Sequence, residues 1–107
     1  MQAQNVIRIV AAAFALTTGE GGAQEIGQVS RGFVLAQRLC AECHAVQKEY
    51  AQSPNVNAPR FQAIASTPGM TAIALSAALN TSHHSMPNIL LRADEQADIT
   101  AYILSLK

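Results

Sequence analysis

The segment Cys40-Ala41-Glu42-Cys43-His44 contains both cysteines of the chain and sets a histidine directly after the second. Residues three and four apart share one side of a helical turn. Both thiols and the imidazole therefore project together, and a flat ligand laid against that turn meets all three.

The spacing Cys-x-x-Cys-His reads as covalent attachment of a c-type haem. Each thiol can add across one haem vinyl group while the adjoining imidazole reaches the iron as an axial ligand. In that reading Cys40 and Cys43 are thioether anchors and His44 is the proximal ligand. Three other readings compete. A redox dithiol of thioredoxin type expects a strand-helix-strand setting, and no convincing strand is found here. A zinc site completed by His83 or His84 requires adjacent Cys43 and His44 to converge on one tetrahedral ion. A structural disulfide at this spacing closes a very small loop.

At 107 residues the chain is one small domain with a modest core, which an enclosed haem enlarges. Its formal charge of zero gives no argument for nucleic acid or an anionic membrane surface. Residues 1–23 read as a secretory signal peptide. Ile9 to Leu16 is a short apolar run behind Arg8, and Gly21-Gly22-Ala23 offers small residues for cleavage before Gln24. Eight apolar residues are too few to span a bilayer; an uncleaved anchor is the competing reading and has to extend the run back across Arg8. Residues 24–107 form the expected domain, exported to the periplasm. Exported thiols ordinarily pair as disulfides, whereas haem attachment consumes them as thioethers.

Periodicity predicts about four helices. The first starts at Ser30 as N-cap and runs through Leu39 into the motif, with Phe33, Ala36 and Cys40 on one line and Val34 and Leu35 grouped with Leu39. Gly32 and Ala36 leave a small-residue notch, and a glycine inside a helix costs ~1 kcal/mol against alanine. Close approach of another helix justifies that cost; a frayed first turn is the bland alternative. Ala45 to Tyr50 reads as a brief helical continuation, followed by a loop from Ser53 to Pro59. Pro59 suits the first position of a short helix to Ser66, carrying Phe61 and Ile64. Thr67-Pro68-Gly69 is a break, and a third helix runs from Met70 or Thr71 to Asn80. The last, from Asp94 to Lys107, sets Ile99, Tyr102, Ile103 and Leu106 on one buried face. Arg92 stands near its N-cap, where Ser or Thr caps better, and Tyr102 suits the Gly32/Ala36 notch.

A proximal histidine generally donates its second ring nitrogen to a carbonyl or carboxylate. The Pro59 carbonyl is the preferred acceptor and Pro54 the second. Arg60 faces either a haem propionate or water. Met86-Pro87 supplies the distal candidate: a thioether suits low-spin iron and raises the potential relative to two imidazoles, while Pro87 stiffens the presenting loop. His83 and His84 are rivals in the same loop, and Met70 is expected to pack.

Together these residues resemble the class I monohaem cytochromes c: Gly32 and Ala36, the Cys40–His44 motif, the loop to Pro59, Met86-Pro87, and a final helix with Tyr102. The resemblance implies a small all-α cytochrome c fold around one covalent haem c, with terminal helices crossing and the haem edge exposed. It implies one-electron transfer between redox proteins, a periplasmic dehydrogenase or membrane complex as donor and an oxidase or reductase as acceptor. No small-molecule substrate, no nucleic acid and a monomer are expected, and near-neutral charge predicts weak electrostatic steering. Ala36 stands where many relatives carry an aromatic residue. A haem enzyme or gas sensor with a displaceable Met86 and a haem-free zinc or dithiol module are the other function classes carried forward.

Overall fold

The computed structural model describes residues 27–81, 83 and 85–107. The expected leader and its cleavage point lie outside them, as does His84. The described residues contain four helices, α1 (Val29–Leu39), α2 (Phe61–Ala65), α3 (Ala72–Leu79) and α4 (Ala93–Leu104). The last helix is the hub. It packs most extensively on α1 and also touches α3 and α2, whereas no other pair of these helices is in contact. No described helix is long and apolar enough to cross a membrane.

The core follows from α4's periodicity. Ile99, Tyr102, Ile103 and Leu106 are all buried, together with Ala36, Val46, Phe61, Ala65 and Leu75. The stripe on α1 is narrower than its apolar content predicts. Gly32 and Ala36 are buried, but Val34 is 52% exposed and Leu39 40% exposed, because only one line of α1 meets α4. The aromatic contact with Tyr102 comes from Phe33, whose ring centroid lies 5.4 Å away and tilted by 54°. Phe33 thus supplies the ring that Ala36 does not.

Gly32 is required by distance. A Cβ there falls 1.9 Å from the Asp98 carbonyl oxygen and 2.7 Å from Tyr102 Cβ, so two helix backbones meet with no room for a side chain between them. The frayed-turn reading of Gly32 is set aside by this contact.

The N-terminus of α1 corrects an expectation. Gln28, not Ser30, is the N-cap, and its side chain makes no capping bond. The cap comes from α4: Asp98 Oδ1 accepts from the Gln28 backbone N–H at 2.7 Å, and Arg31 Nε donates to Oδ2 at 2.9 Å. A carboxylate at a helix N-terminus satisfies an orphan donor and suits the dipole. A tertiary group does here what a local serine does elsewhere. Arg31 and the Gln28 amide hold the Asp98 carboxyl below the usual range, against its burial.

The other helices close locally. Thr71 Oγ1 caps α3 by accepting from the Ala74 N–H at 3.1 Å. Arg92 is the N-cap of α4, and Glu95 Oε2 accepts its backbone N–H at 3.0 Å. Gly69, at φ 78°, lets the chain turn between α2 and α3, with the Met70 N–H donating to the Thr67 carbonyl at 3.0 Å; proline then glycine suits a type II turn.

Gly32→Ala forces α1 and α4 apart and is expected to cost about 3 kcal/mol, read from urea unfolding by far-UV circular dichroism. Asp98→Asn is expected to cost about 1.5–3 kcal/mol at neutral pH. Because the folded pKa of Asp98 is depressed, its contribution is present above the unfolded value of about 3.9 and is lost as pH falls through the folded value. The variant should therefore lose less stability than wild type between about pH 5 and pH 2 in the same assay.

Candidate functional site

The helix α1 stops at Leu39 and the motif follows as tight turns. The Cys40 carbonyl accepts from the Cys43 N–H at 3.2 Å and the His44 N–H at 2.9 Å, which places both cysteines and the histidine on one short curl of backbone. All three are half-buried. Beyond His44 the helical continuation expected for Ala45–Tyr50 does not form. Ala45 and Val46 are instead buried in irregular backbone because partners elsewhere in the chain claim their polar groups. The Ala45 N–H donates to Ser53 Oγ at 3.0 Å. The Ala45 carbonyl accepts from the Phe61 N–H at 3.0 Å, and the Val46 carbonyl accepts from the Tyr102 hydroxyl.

The result is a loop folded back on the motif. The Asn55 N–H returns to the Cys43 carbonyl at 3.1 Å, and Asn55 Oδ1 accepts from the Asn57 N–H at 2.9 Å. Pro59 then lies beside His44. The His44 Nδ1 is 2.7 Å from the Pro59 carbonyl oxygen. A carbonyl only accepts, so Nδ1 carries the proton and Nε2 keeps its lone pair. Phe61, 5.3 Å from the imidazole centroid and tilted by 48°, packs against the ring. Pro54 holds no such position in the described hydrogen bonds. The short helix expected from Pro59 begins at Phe61 with Arg60 as N-cap, since the Pro59 carbonyl is engaged with His44.

Arg60 turns onto backbone. Nη1 lies 3.3 Å from the Ala51 carbonyl and 3.5 Å from that of Tyr50, and Nη2 donates to Gln62 Oε1 at 3.2 Å.

Cys40 and Met86 meet on the walls of one crevice. It is a narrow cleft enclosing about 20 Å³, lined by Leu39, Cys40, Leu79, Met86, Leu91 and Ile99, with Thr81 and Asn88 as polar members. Burial pushes the Cys40 thiol up to about 11 from an ordinary 9.0. The wall therefore disfavours a thiolate and suits a neutral sulfur. Met86 is held by a short antiparallel bridge with His83, its N–H donating to the His83 carbonyl at 3.2 Å. His83 itself is exposed. Met70 packs against the core cluster, as expected. Among the described residues no group of three or more His, Cys, Asp or Glu forms a metal cluster.

The crevice carries Cys40 and Met86, while His44 lines a separate hollow with Ala41, Ala45 and Val46. Two soft sulfurs and an imidazole whose Nδ1 is committed to a carbonyl make a donor set that fits a covalently anchored haem. Sequence reading missed the groups that hold the His44 loop and the α1/α4 contact: Ser53, Asn55, the Tyr102 hydroxyl and Asp98. Serine and asparagine beside proline in a loop commonly bond backbone, a signal that was present but not specific about partners. Ser53→Ala is expected to lower stability by about 1 kcal/mol and to speed amide exchange at Ala45, checked by urea unfolding and hydrogen-exchange NMR.

The family model described as Cytochrome c matches residues 29–107. The chain is 37% identical over 76 residues to cytochrome c-552 of Bradyrhizobium diazoefficiens, covering 71% of this chain and 72% of that protein. No solved structure matches.

Proposed function

Because the chain belongs to the cytochrome c family and takes covalent haem c as its cofactor, we propose that it is an exported single-haem electron carrier with His44 and Met86 as axial ligands. The observation that carries the ligand assignment is that Met86 and Cys40, distant in sequence, line the same apolar crevice. Haem c bound there supplies one-electron chemistry, its iron alternating between ferric and ferrous.

The chain's own residues do the rest. Cys40 and Cys43 anchor the group through thioethers. His44 presents Nε2 because its Nδ1 proton is committed to Pro59, which fixes the tautomer and raises ligand basicity. Met86 supplies a soft, weakly basic sulfur that favours the ferrous state. Leu39, Leu79, Leu91 and Ile99 keep water from the crevice. With His44 and Met86 both holding the haem, its iron would offer no open position to a substrate, and electrons would leave without a bond to it. Partners are other redox proteins. A periplasmic dehydrogenase or membrane complex serves as donor and an oxidase or reductase as acceptor, with the protein acting as a periplasmic monomer after removal of residues 1–23. Contacts of this kind are small and transient.

The test is the absorption spectrum of the protein made in a host that matures c-type cytochromes, reduced and then exposed to carbon monoxide. A covalent haem with a sharp low-spin spectrum, unchanged by carbon monoxide, is expected. Met86→Ala should retain the covalent haem and bind carbon monoxide. Binding by the wild-type protein would instead establish a displaceable distal ligand and a ligand-binding or peroxidatic role.

A further inference from the structure

Arg60 sits where the two ends of the proximal loop come together. Its guanidinium reaches the Tyr50 and Ala51 carbonyls on one side and Gln62 on the first turn of α2 on the other. Its own carbonyl accepts from the Ile64 N–H at 3.1 Å. Pro59, the acceptor for His44, is the residue directly before it. The loop's remaining ties, Ser53 to Ala45 and Asn55 to Cys43, secure its middle. Tyr50 and Ala51 are drawn to the Pro59 end by Arg60.

We propose that Arg60 is a positioning residue: it clamps the 50–51 and 59–62 segments together and so sets the strength of the hydrogen bond from His44 Nδ1 to the Pro59 carbonyl. The proposal rests on His44 being the proximal ligand for its effect on iron, though not for the clamp itself. A planar guanidinium carries five donors in a fixed fork and is always charged. Two neighbouring carbonyls and an amide oxygen match that fork, which commits the side chain to the loop. Loosening the clamp lets the Pro59 carbonyl drift, the imidazole becomes a poorer donor, and the ferric state loses stabilisation. The reduction potential then rises. A direct electrostatic role, such as pairing with a propionate, has the opposite signature: loss of a nearby positive charge favours the more positive ferric state over the ferrous, and the potential falls.

Arg60→Lys separates the two, because lysine keeps the charge but cannot bridge three acceptors. The experiment compares haem-loaded wild type, Arg60→Lys and Arg60→Ala by potentiometric titration and by solvent exchange of the His44 Nδ1 proton, followed by NMR in the reduced state. The clamp predicts exchange roughly tenfold faster in Arg60→Lys and a potential above wild type. Wild-type exchange and potential in Arg60→Lys overturn it, as does a lowered potential in Arg60→Ala with unchanged exchange. Should Arg60→Ala not fold, Arg60→Lys decides alone. Failure of the ligand assignment is seen separately, as a wild-type spectrum without low-spin haem; that outcome overturns the link to potential, while the ring-proton comparison still decides the clamp.

Discussion

The meeting of two backbones at Gly32 is the constraint on which the rest of the molecule depends. With no Cβ on α1, the Asp98 carbonyl of α4 occupies the space a side chain would take. At that separation the Asp98 carboxylate also reaches the start of α1 and its Arg31. Close approach and helix capping are therefore one contact. Its effect extends to the crevice, since Ile99, next along α4, lines the wall that also carries Cys40. One turn further, Tyr102 stacks on Phe33 and donates to the Val46 carbonyl just past His44. Moving α1 relative to α4 would displace both Cys40 and the backbone beside His44.

The two sides of the site are built by different forces. The His44 side is a lattice of directional bonds, with Ser53, Asn55, Pro59, Arg60 and Tyr102 each holding a named backbone or ring atom. Such a lattice fixes a tautomer and a ring plane, because hydrogen bonds weaken steeply with angle. The Met86 side is a largely apolar wall, with Met86 on a short bridge to His83. Packing of that kind excludes water without prescribing direction, which suits a thioether, a ligand that needs little orientation beyond reach.

What was legible in the sequence followed from local rules. The face Ile99, Tyr102, Ile103 and Leu106 obeys the helical period, and all four residues are buried. The Gly32 notch, the proline–glycine break and the Thr71 to Asn80 helix were likewise written locally. The Pro59 carbonyl follows from the need of a ligating imidazole for an acceptor, and it lies against His44. The readings that failed were overridden from afar. Ser30 is a good cap in isolation, but a carboxylate from the far end of the chain supplies the cap instead. Ala45 to Tyr50 carries no helix breaker, yet Ser53, Phe61 and Tyr102 take the backbone groups that a helix would need. Nothing in a local window announces a partner tens of residues away.

The placement of charge also bears on the potential. Arg31 engages Asp98, Arg60 engages the loop, and Arg92 engages Asp94 and Glu95. The crevice is lined mainly by apolar side chains and two neutral sulfurs, with Thr81 and Asn88 as polar members and no charged residue among the described ones. Low-dielectric surroundings disfavour whichever oxidation state carries the greater net charge. Under the proposed His44 and Met86 ligation that is the ferric state, so apolar walls and a thioether would both push the potential upward. The His44 to Pro59 bond pulls the other way by making the imidazole a better donor. The working potential is then a balance between a wall that excludes water and a single hydrogen bond. The acceptor sits on a loop, and the wall likewise draws Met86, Pro87, Ile89 and Leu91 from the loop before α4, with Ile99 from α4 itself, so both terms are set by where loops are held.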